Sequence, residues 1–125
     1  MEEYILKKTF NTPSVHFIPN EGILKIEGRS IPEDPGGFYD KIIKLLKEYY
    51  KNPQEITRVD INLEYINSGS SKYMLELLRI LKVNYDLGKD CIVNWYYEED
   101  DESIQELGQH YQSTVQLPFK LIDYY

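Results

Sequence analysis

Cysteine is almost missing from this chain. Cys91 is the only one in 125 residues, which excludes an internal disulfide and a cysteine-rich zinc site. Histidine is nearly as scarce, and His16 and His110 form no cluster with metal-ligand spacing. Positive charge is in deficit: 14 Lys and Arg stand against 21 Asp and Glu, for a net charge of −7. That balance opposes a nucleic-acid partner, whose phosphates need Lys and Arg, and favours encounter with basic surfaces. No apolar run approaches the roughly 18 residues of a membrane helix, and Met1-Glu2-Glu3 lacks the basic start of a secretory signal. The chain is therefore expected in the cytoplasm, away from membranes. Catalytic fingerprints are also wanting. Gly69-Ser70-Ser71-Lys72 has no upstream glycine to complete a nucleotide P-loop, and neither a Gly-x-Ser-x-Gly elbow nor a Gly-x-Gly-x-x-Gly turn occurs. Nothing in the spacing of Glu27, Glu33 and Asp34 marks an acid–base pair. The run Glu98 to Glu102 lacks the alternating ligands and glycine of a calcium loop, and reads as an acidic turn entering a helix. No cofactor or metal is expected, and an enzyme finds no support.

What is present is a core. Hydrophobic residues make up 42% and aromatics 14% of the chain, enough for one packed domain over residues 1–125 and too much for disorder. Tyr4 to Phe10 reads as a first strand. Val15 to Ile18 and Ile23 to Glu27, flanking Pro19-Asn20-Glu21-Gly22, read as a hairpin. Ile31 to Gly37 is a loop, and Gly28-Arg29-Ser30 lies just past a strand end. Phe38, Ile42, Leu45, Leu46 and Tyr49 line one face of a helix over Phe38 to Tyr50. Arg58 to Tyr65 is a strand, Ser70 to Leu87 a helix closed by Gly88, and Cys91 to Tyr97 a central strand. Ser103 to Tyr111 is a short helix and Phe119 to Ile122 a last strand. A hairpin followed by alternating helix and strand implies an α/β fold: a single-domain mixed β-sheet with crossover helices.

The segment from Leu63 to Lys72 is the most informative. Val59, Ile61 and Leu63 alternate with polar residues before it, and Met74, Leu77, Leu78 and Leu81 recur at helical spacing after it. Between them, Asn67 to Ser71 contains nothing apolar and three serines. A hydroxyl at such a strand-to-helix junction meets unpaired N–H groups and the positive end of the helix dipole, which favour an anion. Serines there are commonly simple N-caps. Three such hydroxyls, on Ser68, Ser70 and Ser71, stand where one cap suffices. Lys72 reads as a solvated helix residue within reach of a phosphate.

Leu63-Glu64-Tyr65-Ile66-Asn67-Ser68, together with Thr12-Pro13-Ser14-Val15-His16-Phe17 and Gly28-Arg29-Ser30-Ile31-Pro32-Glu33, resembles the SiaC family of regulatory phosphoproteins. Phe38-Tyr39 at a helix start agrees. The element order is similar to that of STAS domains, which carry a phosphorylatable hydroxyl at a helix N-terminus. The resemblance implies a non-enzymatic, partner-switching protein phosphorylated on Ser68 by a Ser/Thr kinase and restored by a PP2C-type phosphatase. Its unphosphorylated form would bind and activate a diguanylate cyclase, and Ser70 or Ser71 would cap the helix, leaving Ser68 free. Asn67, Gly69, Ser70, Ser71, Lys72 and Arg29 would then meet partners, Arg29 through a carboxylate or a phosphate on Ser68. The rival reading is a STAS-like scaffold or small-ligand module without a phosphoswitch.

Overall fold

The computed structural model describes residues 1–125. Six strands form one sheet in the order β1-β2-β3-β4-β5-β6. They are β1 (Tyr4–Leu6), β2 (Ser14–Ile18), β3 (Ile23–Ser30), β4 (Ile56–Ile66), β5 (Asp90–Glu98) and β6 (Phe119–Tyr124). The first three pair antiparallel and the last four parallel. The crossovers are α1 (Pro35–Tyr49), α2 (Ser68–Asp86) and α3 (Glu102–Val115). Each joins neighbouring parallel strands in the same direction across the sheet. Right-handed crossovers of that kind place all helices on one face.

That face is apolar. Leu24, Ile26, Val59, Ile61, Leu63, Val93 and Trp95 join Tyr39, Leu46, Met74, Leu77, Leu78 and Tyr111 of the helices in a single core. Burying one such side chain is worth about 1.5–3 kcal/mol. Trp95 stands edge-on to Tyr111 and donates its indole N–H to the Ile104 carbonyl, fixing α3 on β5. Gly108 makes this fit possible, because any side chain there would be driven into the Trp95 indole. The opposite face is polar. Lys25, Asp60, Asn94 and Lys120 stand side by side across β3 to β6. Asn94 donates to Asp60 at 2.8 Å, and Arg58 pairs with the same carboxylate at 3.2 Å. A face built of such pairs is suited to water.

Several element boundaries differ from the sequence-based expectation. β1 ends at Leu6, and Phe10 belongs to an exposed turn in which the Thr9 hydroxyl accepts the Asn11 and Thr12 N–H groups. Gly28-Arg29-Ser30 lies inside β3: Gly28 takes a φ of +124°, and a register shift opposite Glu64 lets the strand run on past it. α1 starts at Pro35, because Asp34 caps it by accepting the Gly37 N–H at 3.1 Å and proline fits the first helical turn. α3 runs on to Val115, ended by Gln116 in the left-handed region. β5 alternates buried and half-buried residues and is second from the edge; β3 and β4 hold the centre.

Burial raises several proton-holding groups. The Tyr39 phenol is pushed up to about 12, with the Ser30 hydroxyl partly offsetting the effect. Tyr50 also rises to about 12 and the Cys91 thiol to about 11, again through burial. Each folded-state pKa lies above its unfolded value, so between the two the unfolded chain has released a proton that the folded protein keeps. Stability is therefore full below about pH 8.5 and falls as pH rises through about 9 to 12. Urea midpoints should agree at pH 7 and pH 8 and drop clearly by pH 11. Equal midpoints at pH 8 and pH 11 would contradict this burial.

Candidate functional site

Parallel strands and their crossover helices bring all three helix N-termini to the carboxyl end of the sheet. The middle one is set by Asn67. This residue is the N-cap of α2: its Oδ1 accepts the Ser70 N–H at 2.8 Å, and its carbonyl accepts the Ser71 N–H at 2.9 Å. Its own N–H donates to the Ser30 carbonyl at 2.9 Å, and its amide nitrogen reaches the Pro32 carbonyl at 3.4 Å. The block around Arg29–Glu33 and the block around Asn67 thus meet at one residue.

The expected cap, Ser70 or Ser71, is corrected by this geometry. Asparagine caps as well as serine does, and it stands three residues before the amide that needs an acceptor. Ser70 is fully buried, so it is removed from any partner surface. Its Oγ lies beside the Tyr39 phenol, which bonds Ser30 at 2.6 Å instead, and Ser70 is left without a hydrogen bond of good geometry. Ser71 is half-buried and joined to α3: its Oγ is 2.8 Å from the Tyr111 hydroxyl, which donates to the Ser71 carbonyl at 2.8 Å. Ser68, the first residue of α2, is exposed and takes no part in the cap. Gly69 reflects a close approach within the chain, since a Cβ there would lie 2.9 Å from Pro35 Cγ where the starts of α1 and α2 touch. Lys72 is exposed on the first turn and forms no ion pair.

Ser68 lies in the wall of a groove of about 870 Å³ between the ends of β4, β5 and β6 and the start of α3. Leu63, Tyr65, Ile66, Ile104, Leu107 and Tyr124 supply its apolar surface. Glu64, Glu98 and Asp101 supply three carboxylates, and no Lys, Arg or His lines it. Asp101 also caps α3 by accepting the Ile104 N–H at 3.1 Å. Tyr124 spans from β6 to donate to Asn62 Oδ1 at 2.9 Å, and burial together with the Glu98 charge raises its pKa. Arg29 is not in this lining. Its guanidinium sits between the rings of Phe10 and Tyr65, 4.5 and 4.8 Å from their centroids.

The groove combines an accessible hydroxyl, an apolar floor and an acidic rim. It holds no nucleophile–base pair and no group of three metal-ligating side chains. The sequence profile of SiaC family regulatory phosphoproteins matches residues 6–124, nearly the whole chain. The chain belongs to the SiaC family. Apo-SiaC of Pseudomonas aeruginosa superposes with a TM-score of 0.90 at 24% identity, covering 98% of this chain and 99% of that one. A chain in the crystal structure of the P. aeruginosa diguanylate cyclase SiaD in complex with its activator SiaC gives 0.92 at 23%, covering 97% and 99%. An uncharacterized protein of P. aeruginosa strain UCBPP-PA14 is 24% identical over 121 residues, 97% of this chain and 96% of its own length.

The acidic wall, Tyr124 and the Phe10–Tyr65 pair escaped the sequence reading. Glu98 and Asp101 were legible only as part of an acidic turn entering α3.

The cap assignment has a direct consequence for stability. Asn67→Ala should cost about 0.5–2 kcal/mol, the usual loss of a cap, while Ser68→Ala should fall within about 0.5 kcal/mol of wild type, as surface changes do. Urea melts of the two variants measure both. A larger loss for Ser68→Ala than for Asn67→Ala would assign the capping role to Ser68 instead.

Proposed function

We propose that this protein is a non-enzymatic cytoplasmic signalling protein that changes partners when Ser68 is phosphorylated. A Ser/Thr kinase modifies Ser68 and a PP2C-type phosphatase restores it. The unphosphorylated form binds and activates a diguanylate cyclase. The observation that carries this reading is the exposed Ser68 hydroxyl at the start of α2, which the cap does not need, in the wall of an apolar, acid-rimmed groove. Family membership supports a phosphorylated residue, and the likeness to a SiaC that activates a diguanylate cyclase supports the partner.

The switch works by local chemistry. A phosphate adds about −1.5 to −2 charges and three acceptor oxygens at neutral pH. The positive end of α2 tolerates that charge, so the domain itself stays folded. Within the groove the phosphate finds three carboxylates and no cation. A partner packed over Ser68 must strip water from the dianion with no base in the groove lining to compensate, which costs several kcal/mol. A loss of about 4 kcal/mol weakens binding roughly a thousandfold.

Peptide mapping after phosphorylation by the cognate kinase should place a single phosphate on Ser68. Calorimetry against a diguanylate cyclase from the same organism should give Ser68→Ala near-native affinity and Ser68→Asp a clear loss. A phosphate found only on Ser70 or Ser71, or equal affinity for phosphorylated and unphosphorylated protein, would reject the switch at Ser68, because a modification that leaves binding free energy unchanged cannot select a partner.

A further inference from the structure

Arg29 is set up as an unused recognition group. None of the five ion pairs in the molecule involves it, although the chain has 21 carboxylate side chains. Its Nε is buried and makes no hydrogen bond, a destabilising state for a charged donor. The two rings that flank it are themselves exposed, Phe10 at 73% and Tyr65 at 59%. Phe10 is not a loose side chain on a free loop. It projects from the Thr9–Thr12 turn, whose hydroxyls bond each other at 2.7 Å, and Asn11 next to it accepts the Ile31 N–H at 2.9 Å. Tyr65 stands opposite Arg29 in the β3–β4 register and also lines the groove that holds Ser68.

We propose that Arg29, clamped between Phe10 and Tyr65, receives a side-chain carboxylate of the docking partner at the rim of the Ser68 groove. This deepens the activator reading given above and rests on it. With both ring centroids within 5 Å of the guanidinium carbon and no hydrogen bond or ion pair made by Arg29 inside the chain, its N–H groups are left for a ligand. Their fork matches the two oxygens of a carboxylate. Stacking also fixes the side chain in advance, so little freedom is lost on binding. The partner is thus an acidic side chain next to apolar surface: the carboxylate meets Arg29 and the apolar part meets Tyr65 and the groove floor. Since the groove carries only negative charge and the clamp only positive, the two sites together admit a segment in one orientation.

The test uses full-length unphosphorylated protein and the diguanylate cyclase of the same organism, with affinity read by calorimetry. Arg29→Lys keeps the charge but loses the fork and the stacking, and should bind at least about tenfold more weakly. Phe10→Leu should weaken binding severalfold while leaving the urea midpoint unchanged. Arg29→Glu should abolish binding, and one Asp or Glu→Arg variant of the cyclase should restore it, which a merely structural arginine would not allow. Wild-type affinity for both Arg29→Lys and Phe10→Leu overturns the clamp, as does failure of every reversed cyclase variant to rescue Arg29→Glu. If the wild-type protein itself binds no cyclase, the activator reading fails first and the clamp falls with it.

Discussion

The hydrogen bond from the Ser70 amide to Asn67 Oδ1, 2.8 Å long, is the interaction on which the site depends. It satisfies one of the orphan donors at the start of α2, so no serine is required for the purpose. Ser68 can then face outward as the first residue of the helix, Ser70 can turn inward, and Ser71 can bind Tyr111 of α3. The same asparagine ties β4 to the end of β3 through the Ser30 carbonyl. One residue therefore sets the helix start, the strand pairing beside it and the exposure of the candidate acceptor.

The sheet order places that residue where a partner can reach it. Because all helices share one face, the other is left as a polar row of Lys25, Asp60, Asn94 and Lys120, with Asn94 donating to Asp60. Apolar surface suited to docking is instead found at the carboxyl end of the strands, where Leu63, Ile66 and Ile104 open into the groove. Three helix starts lie there, capped by Asp34, Asn67 and Asp101. Two of these caps are carboxylates, which offset the positive helix ends, and Glu64 and Glu98 add to the negative rim. An added phosphate therefore changes the charge of a surface already biased to one sign.

Local pattern made much of this readable from the sequence. Alternation over Val59, Ile61 and Leu63 and helical spacing over Met74, Leu77, Leu78 and Leu81 located β4, α2 and the junction between them. The turn Pro19–Gly22 fixed the hairpin, and Gly22 takes a φ of +69° there. What could not be read depended on contacts between distant residues. Which polar residue caps α2 turned on Asn67 also meeting Ser30 and Pro32, and Ser70 was buried by Tyr39 from α1. The start of α1 was missed because Pro35, Gly36 and Gly37 read as a loop by propensity. There, Asp34 caps the helix and Gly36 and Gly37 permit close approach to Tyr73 and Asp34. The Arg29 clamp joins a turn, β3 and β4, three segments with no common periodicity. Composition gave the charge of the surface, but not its division into an acidic groove and a cationic clamp.

The central claim is that phosphate at Ser68 alters the surface and leaves the helix start intact. Amide hydrogen exchange at Ser70 and Ser71, whose N–H groups are held by Asn67, tests it most directly. Protein fully phosphorylated on Ser68 is compared with the unmodified form. Protection at both amides should stay within about threefold or rise, since local opening reports the free energy of the cap itself and a dianion favours the helix start. A fall of about tenfold or more at these two amides would show that phosphorylation melts the first turn of α2, and would contradict the account.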